Sequence, residues 1–221
     1  MYLYEQLTLL LLNPKKGHVD RSFGGPDVAV CGAMIMDVAD CGRAELRDGR
    51  LVPCAGDPLD DPFLQEVLTT IAEKPRRVRQ VMAKAQDRIG GLFGSVTRPV
   101  LEDMTKKGYI SHEHTSIFGR AHRRYLPDPD ERAAIVADVM RAARGDAAAT
   151  HDGDRLLLML QASDAMKLAF PEQKDRRKAK AAIAAQQKKA GELTGTITRV
   201  VDETHAAVIG AIAAGGAAGA H

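Results

Sequence analysis

The chain has 221 residues, of which 45% are hydrophobic and 27% charged, with a formal net charge of +2. That length buries a real core and makes one domain the default, while a near-neutral balance assigns no partner by itself. Aromatic content of 4% with no tryptophan leaves the core to Leu, Val, Ile, Met and Ala, which favours helix packing over a β-sandwich.

Residues 2–12 read as a short helix closed by Asn13-Pro14. The apolar run from Leu7 to Leu12 is too short to span a bilayer, and Glu5 sits where a signal peptide would be basic. No other stretch reads as a membrane span. A loop rich in glycine and basic residues, 15–26, leads into a second helix. There Val28, Cys31, Ile35 and Val38 recur at helical period, Asp27 is the expected N-cap, and Gly42 is the expected left-handed stop. With Ala29, Gly32 and Ala33 permitting close approach, this is the expected central core helix. Ala44-Glu45-Leu46 and Leu51-Val52 then flank Asp48-Gly49, the residue pair that a type I′ hairpin turn asks for.

Asp61 as N-cap and Pro62 at the first position start a helix carrying Leu64, Val67, Leu68 and Ile71. Another is expected from Pro75 to the Gly90-Gly91 break, and a further one over 96–107 with Gly108 as its stop. Residues 109–126 read as a second hairpin with Ile117 and Phe118 at its tip. Helices follow from Asp128 or Asp130 to about Arg144, over 156–169, over the basic stretch 174–189, and over 193–212; residues 145–153 read as an exposed loop. The fold class is therefore mainly α: a compact single-domain helical bundle over 1–214, with a central apolar helix, two short β-hairpins and a disordered tail at 215–221.

Catalytic motifs are missing. The sequence has no G-x-G-x-x-G, no Walker lysine motif, no H-E-x-x-H and no G-x-S-x-G, and no acid–base pair or nucleophile is legible. The segment from Gly90 to Ser95 lacks the lysine and the preceding strand of a phosphate loop. Cys31, Cys41 and Cys54 are odd in number without C-x-x-C spacing, so no disulfide framework or zinc site is indicated and a reducing, cytoplasmic setting fits. His112 and His114 alternate on an expected strand, with His122 able to face them, but histidines in a basic hairpin more simply meet solvent or anions; no metal and no cofactor are expected.

Charge clustering is more informative. Between Arg98 and Arg124 six cations stand against three acids, with Ile117 and Phe118 at the hairpin tip. Cations beside an exposed apolar wedge suit a peripheral membrane site, each near-surface cation being worth about 1 kcal/mol on an anionic bilayer. The competing reading is a solvated loop, with Phe118 folded into the core or into another subunit. A helix followed by a basic hairpin also suggests a winged helix, but residues 96–107 offer few outward polar or basic groups for a groove, so no nucleic-acid partner is expected. The seven cations of 174–189 read most simply as a solvated helix face.

The order of segments resembles the Golgi phosphoprotein 3 family, including its bacterial, especially actinobacterial, members. The resemblance is carried by Glu5-Gln6-Leu7-Thr8-Leu9-Leu10-Leu11-Leu12, by Gly32-Ala33-Met34-Ile35-Met36-Asp37-Val38 with Gly42-Arg43-Ala44-Glu45-Leu46, by Lys107-Gly108, and by Arg155-Leu156-Leu157-Leu158 through Ala162-Ser163-Asp164 to Ala169-Phe170. It implies a mostly helical domain that acts as an adaptor, not an enzyme, and binds phosphatidylinositol 4-phosphate or another anionic headgroup at a membrane surface. The hairpin 109–126 would insert through Ile117 and Phe118 and contribute to homo-oligomer formation. In the headgroup pocket the family's Trp position falls on Ser22 or Phe23, one Arg position on Cys31, and two more on Gly94 and Thr97, with Arg98 adjacent. Headgroup contacts are accordingly expected from Arg21, Ser22, Phe23, Arg98, Arg120, Arg123 and Arg124. The expected localisation is cytoplasmic and peripherally membrane-associated. The alternative is a soluble interaction or oligomerisation module that keeps the fold without the lipid pocket.

Overall fold

A helix with apolar residues round its whole circumference needs neighbours on every side. That helix is α2 (Pro26–Asp40), in which Ala29, Val30, Cys31, Ala33, Met34, Ile35, Met36 and Val38 are all fully buried. The computed structural model describes residues 1–19, 25–91, 94–117 and 120–218, with side chains for these except 115–117, 120–122 and 208–218. Around α2 pack α1 (Leu3–Leu11), α3 (Pro62–Ala72), α4 (Val78–Gly90), α5 (Thr97–Lys106) and α10 (Glu192–Ala218). Outside α1 and α10 lie α6 (Pro129–Arg144), α7 (His151–Ala162), the single turn α8 (Met166–Ala169) and α9 (Gln173–Lys189). One apolar cluster runs from Leu3 to Val201 through all these layers. The mainly α class and the central apolar helix are as expected.

The turn chemistry also follows the residues. Gly42 at φ 67 ends α2: its N–H bonds to the Ala39 carbonyl at 2.9 Å, and the Arg43 N–H to that of Val38 at 3.0 Å. Strands β3 (Ala44–Arg47) and β4 (Arg50–Pro53) pair antiparallel across Asp48 and Gly49, both at positive φ, as a type I′ turn requires. Asp61 caps α3, accepting from the Phe63 and Leu64 N–H groups. Strands β5 (Ile110–Ile117) and β6 (Arg120–Pro127) form the long hairpin. A third ladder, β1 (Leu12–Asn13) with β2 (His18–Val19), is not legible in the residues.

Three boundaries differ, each for a tertiary reason. Helix α4 starts at Val78 and not at Pro75, because Arg76 is held extended by the Leu51 N–H, which donates to its carbonyl at 2.8 Å. Helix α7 starts at His151, inside the expected loop: Thr150 caps it through the Gly153 N–H, and Asp138 of α6 anchors Thr150 by its backbone N–H at 3.1 Å and by its hydroxyl. The expected helix over 156–169 breaks at Ser163–Ala165, where Asp164 takes a positive φ of 52. Helix α10 also runs on to Ala218, past the expected helix end at 212.

Asp37, near the end of α2, caps a different helix. Its carboxylate accepts from the Leu3 N–H at 2.9 Å and the Tyr4 N–H at 3.0 Å, supplying the first turn of α1 with acceptors. Burial pushes this carboxyl up to about 7, with Asp152 and Asp40 adding to the rise, against the lowering effect of the two N–H groups. The folded chain thus holds a proton that the unfolded chain lacks between about pH 4 and 7. Stability from this group is present on the acid side and is lost as pH rises through about 7. The gain in urea-unfolding free energy from pH 8 to pH 5 is expected to be larger in the wild type than in Asp37→Asn, by about 2 kcal/mol. The same pH dependence in both proteins would show that Asp37 is not the group responsible.

Candidate functional site

The candidate surface is built from α5 and the hairpin that follows it. Helix α5 has no side-chain cap of its own; Asp27 provides one from α2, its Oδ1 accepting from the Thr97 N–H at 2.8 Å and the Ser95 hydroxyl at 3.2 Å. This corrects the expectation that Asp27 caps α2. The N-cap of α2 is Gly25, and Pro26 occupies the first position, where proline's missing N–H needs no acceptor. Asp27 thus lies inside the first turn and not at the cap position, and its carboxylate reaches across to the neighbouring helix, beside Arg98.

At the other end, Lys107 fixes where the hairpin leaves. Its ammonium lies 2.8 Å from Glu5, 3.2 Å from Asp61 and 2.8 Å from Asp103. Glu5 and Asp61 are almost wholly buried, and the Tyr4 hydroxyl donates to Asp61 at 2.8 Å. Burial alone would lower the Lys107 ammonium, but its bonds to Asp103, Glu5 and Asp61 outweigh that, and the net shift is upward. The three carboxylates lie close enough together to hold a metal ion, yet the lysine already stands among them as their counter-charge. Just beyond, the Asp128 N–H bonds to the Tyr109 carbonyl at 3.0 Å and closes the base of the hairpin.

Between these anchors Arg98 and Arg123 meet. Glu102 lies 3.5 Å from the Arg98 guanidinium and 3.4 Å from that of Arg123, so α5 and β6 are tied through one carboxylate. All three side chains are 41–54% exposed. Ion pairs this exposed contribute little to stability, so an incoming anion can compete for both guanidiniums at small cost. His114 is the cross-strand partner of Arg123.

Arg124 goes to the other side. It pairs with Glu113 at 3.5 Å and donates to the Lys15 carbonyl at 2.9 Å, and the next residue, Tyr125, donates its N–H to the Gly17 carbonyl at 2.8 Å. Arg98 and Arg123 therefore converge, while Arg124 braces the loop that leads towards 20–24. Arg120 and Ile117 are register partners in the ladder, but their side chains are outside the described set. Arg21, Ser22, Phe23 and Phe118 lie outside the described residues. His112 and His114 stack edge to face at 5.3 Å, whereas His122 pairs with Thr115, out of phase with both. The His122 side chain is outside the described set.

Of the three positions matched to family arginines, Gly94 is exposed, while Cys31 and Thr97 are closed. Cys31 is fully buried, and burial, with Asp27 nearby, pushes its thiol up. Thr97 is 5% exposed and its N–H is spent on Asp27. Reading residue types alone missed Asp27 as an occupant of this place; the one available signal was Pro26, whose preference for the first helical position puts the cap at Gly25. Among the described residues no helix is long and apolar enough to cross a membrane. A family model described as Golgi phosphoprotein 3 (GPP34) matches residues 3–212. No curated protein matches the chain.

Proposed function

Since the chain belongs to the Golgi phosphoprotein 3 family, we propose that it is a peripheral membrane adaptor, not an enzyme, that binds the phosphate headgroup of an anionic phospholipid, phosphatidylinositol 4-phosphate among them. The observation that carries this reading is the convergence of Arg98 and Arg123 on Glu102, two exposed guanidiniums, one at the start of α5 and one midway along the long hairpin. A phosphate bearing two negative charges takes both guanidinium forks more strongly than a single carboxylate does. Arg21, Ser22, Phe23, Arg120 and Arg124 belong to the proposed contact region, and Ile117 and Phe118 to the inserting tip.

Asp27 favours a second reading. A carboxylate already occupies the start of α5, where a headgroup phosphate would otherwise meet backbone N–H groups. That arrangement suits a chain that keeps the fold as an interaction module and uses the hairpin to assemble. Flotation on phosphatidylcholine vesicles, with and without phosphatidylinositol 4-phosphate or phosphatidylglycerol, separates the two. The lipid reading expects salt-sensitive recovery only with the anionic lipids and about tenfold weaker binding for Arg98→Gln/Arg123→Gln. Equal recovery on neutral vesicles, together with a changed oligomer mass for Phe118→Asp, would establish the interaction module in its place.

A further inference from the structure

Helix α9 carries seven cations and a single acid, Asp175. Like charges three and four residues apart repel along a helix, and solvated helices usually intersperse acids to relieve this. Here the cations are grouped. At the helical period Lys174, Arg177, Lys178, Lys188 and Lys189 fall within about 120° of one another, a stripe about 22 Å long. All five are exposed, and the buried positions Ala179, Ile183 and Gln186 face the opposite way, onto α6 and α7. Lys174, Arg177 and Lys188 run along the middle and one side of the stripe, while Lys178 and Lys189 stand exposed at the other edge, beside clefts against α6 and α7.

Neutralisation within the chain is slight. Lys174 pairs with Glu172 at 2.7 Å, and the charge of Lys189 is felt by Asp154, but no described carboxylate lies within ion-pairing distance of Arg177, Lys178, Lys188 or Lys189. Arg176 is turned inward and donates to the Phe170 carbonyl at 2.6 Å, so it is not part of the stripe. Between the two ends of the stripe stand Ala181 and Ala185, both exposed, whose short side chains keep the face low and flat.

We propose that this face of α9 is a second, purely electrostatic contact with an anionic phospholipid surface, separate from the Glu102 arginines. Four of the five cations are lysines, hydrated point charges suited to mobile headgroups and not to one fixed bidentate partner. The helix has no aromatic residue on which a base could stack, which argues against single-stranded nucleic acid. Its position is equally informative. The first half of α9 packs at the last turn of α6, where Asp175 and Lys178 share a cavity wall with Met140, Ala143 and Arg144. The long hairpin joins α6 at its other end, one helix length of about 24 Å away. The two basic surfaces are thus spatially distinct, and removing one leaves the other in place.

The test uses the full chain and phosphatidylcholine vesicles with or without phosphatidylglycerol. Replacing the five stripe cations by glutamine is expected to weaken binding to the anionic vesicles by about tenfold or more, with an unchanged thermal unfolding midpoint. Arg123→Gln/Arg124→Gln, with α9 intact, is expected to retain salt-sensitive binding that the five-glutamine change then removes. Wild-type affinity in the five-glutamine protein would overturn the α9 contact whatever the hairpin does. Conversely, loss of binding there with none in the hairpin variant would leave α9 standing and remove the hairpin reading. Wild-type vesicle binding by the five-glutamine protein, with duplex RNA retained only by wild type, would assign α9 to nucleic acid and overturn the lipid proposal.

Discussion

Lys107→Met is expected to destabilise the fold by about 3–5 kcal/mol, the usual cost of stripping the counter-charge from buried carboxylates. The methionine keeps most of the side-chain volume, so the loss reports charge and not a cavity. What remains is Glu5 and Asp61, both almost fully buried, with Asp103 beside them. Their surviving partners are the Tyr2 N–H on Glu5, at 2.8 Å, and the Tyr4 hydroxyl with the α3 cap N–H groups on Asp61. Those partners stabilise the carboxylates without neutralising them. Lys107→Arg, which keeps the charge, should lose less than Lys107→Met in urea unfolding. Equal losses for the two variants would mean that Lys107 acts through packing. Because Lys107 joins α1, α3 and α5 at the point where the hairpin leaves, the methionine variant should also loosen the hairpin base, seen as faster amide exchange at Tyr109 and Asp128.

Gly32→Val is the second large effect, at about 3 kcal/mol or more. A Cβ placed on Gly32 would lie 2.8 Å from Ile197 Cγ2 of α10, 3.2 Å from Met159 Cε of α7 and 3.4 Å from Met82 Cε of α4. The two methionines have flexible ends and can yield; the β-branched isoleucine on a packed helix cannot do so freely. Alanine makes the weighing explicit. It gains about 1 kcal/mol of helix propensity over glycine but incurs overpacking that typically costs about 1–3 kcal/mol. A modest net loss is therefore expected for Gly32→Ala, and valine adds two methyl groups without the propensity gain. Ile197→Ala removes the atom nearest the new Cβ, so the Gly32→Ala/Ile197→Ala pair should be less destabilised than the two single changes added together. Strict additivity would show that α2 and α10 do not meet through Gly32.

The same residues show where reading the chain succeeds and where it stops. Gly42, Asp48-Gly49, Asp61-Pro62 and Asp128 act on neighbours two to five positions away. Their chemistry alone therefore determined the end of α2, the β3–β4 turn and the start of α3, and narrowed that of α6 to Asp128 or Asp130. Apolar periodicity determined that α2 is central, and segment order determined the family, because both are properties of the linear pattern. What the pattern could not contain is which distant helix receives a carboxylate. Asp27 caps α5, 70 residues away, and Asp37 caps α1, 34 residues back. Glu5, Asp61 and Asp103 gather on Lys107 from three helices.

The candidate surface divides along the same line. Sequence alone determined that cations concentrate between Arg98 and Arg124 and along α9. Only the tertiary structure decided that Arg98 and Arg123 share Glu102 while Arg124 turns to the Lys15 loop, since alternate strand residues point to opposite faces and the register sets which face is which. Only the packing of Ala179 and Ile183 against the bundle decided that the cations of the α9 stripe face outward. Local rules act over a turn or a strand pair, and the direction in which a charge points is set by what the far side of its element is pressed against.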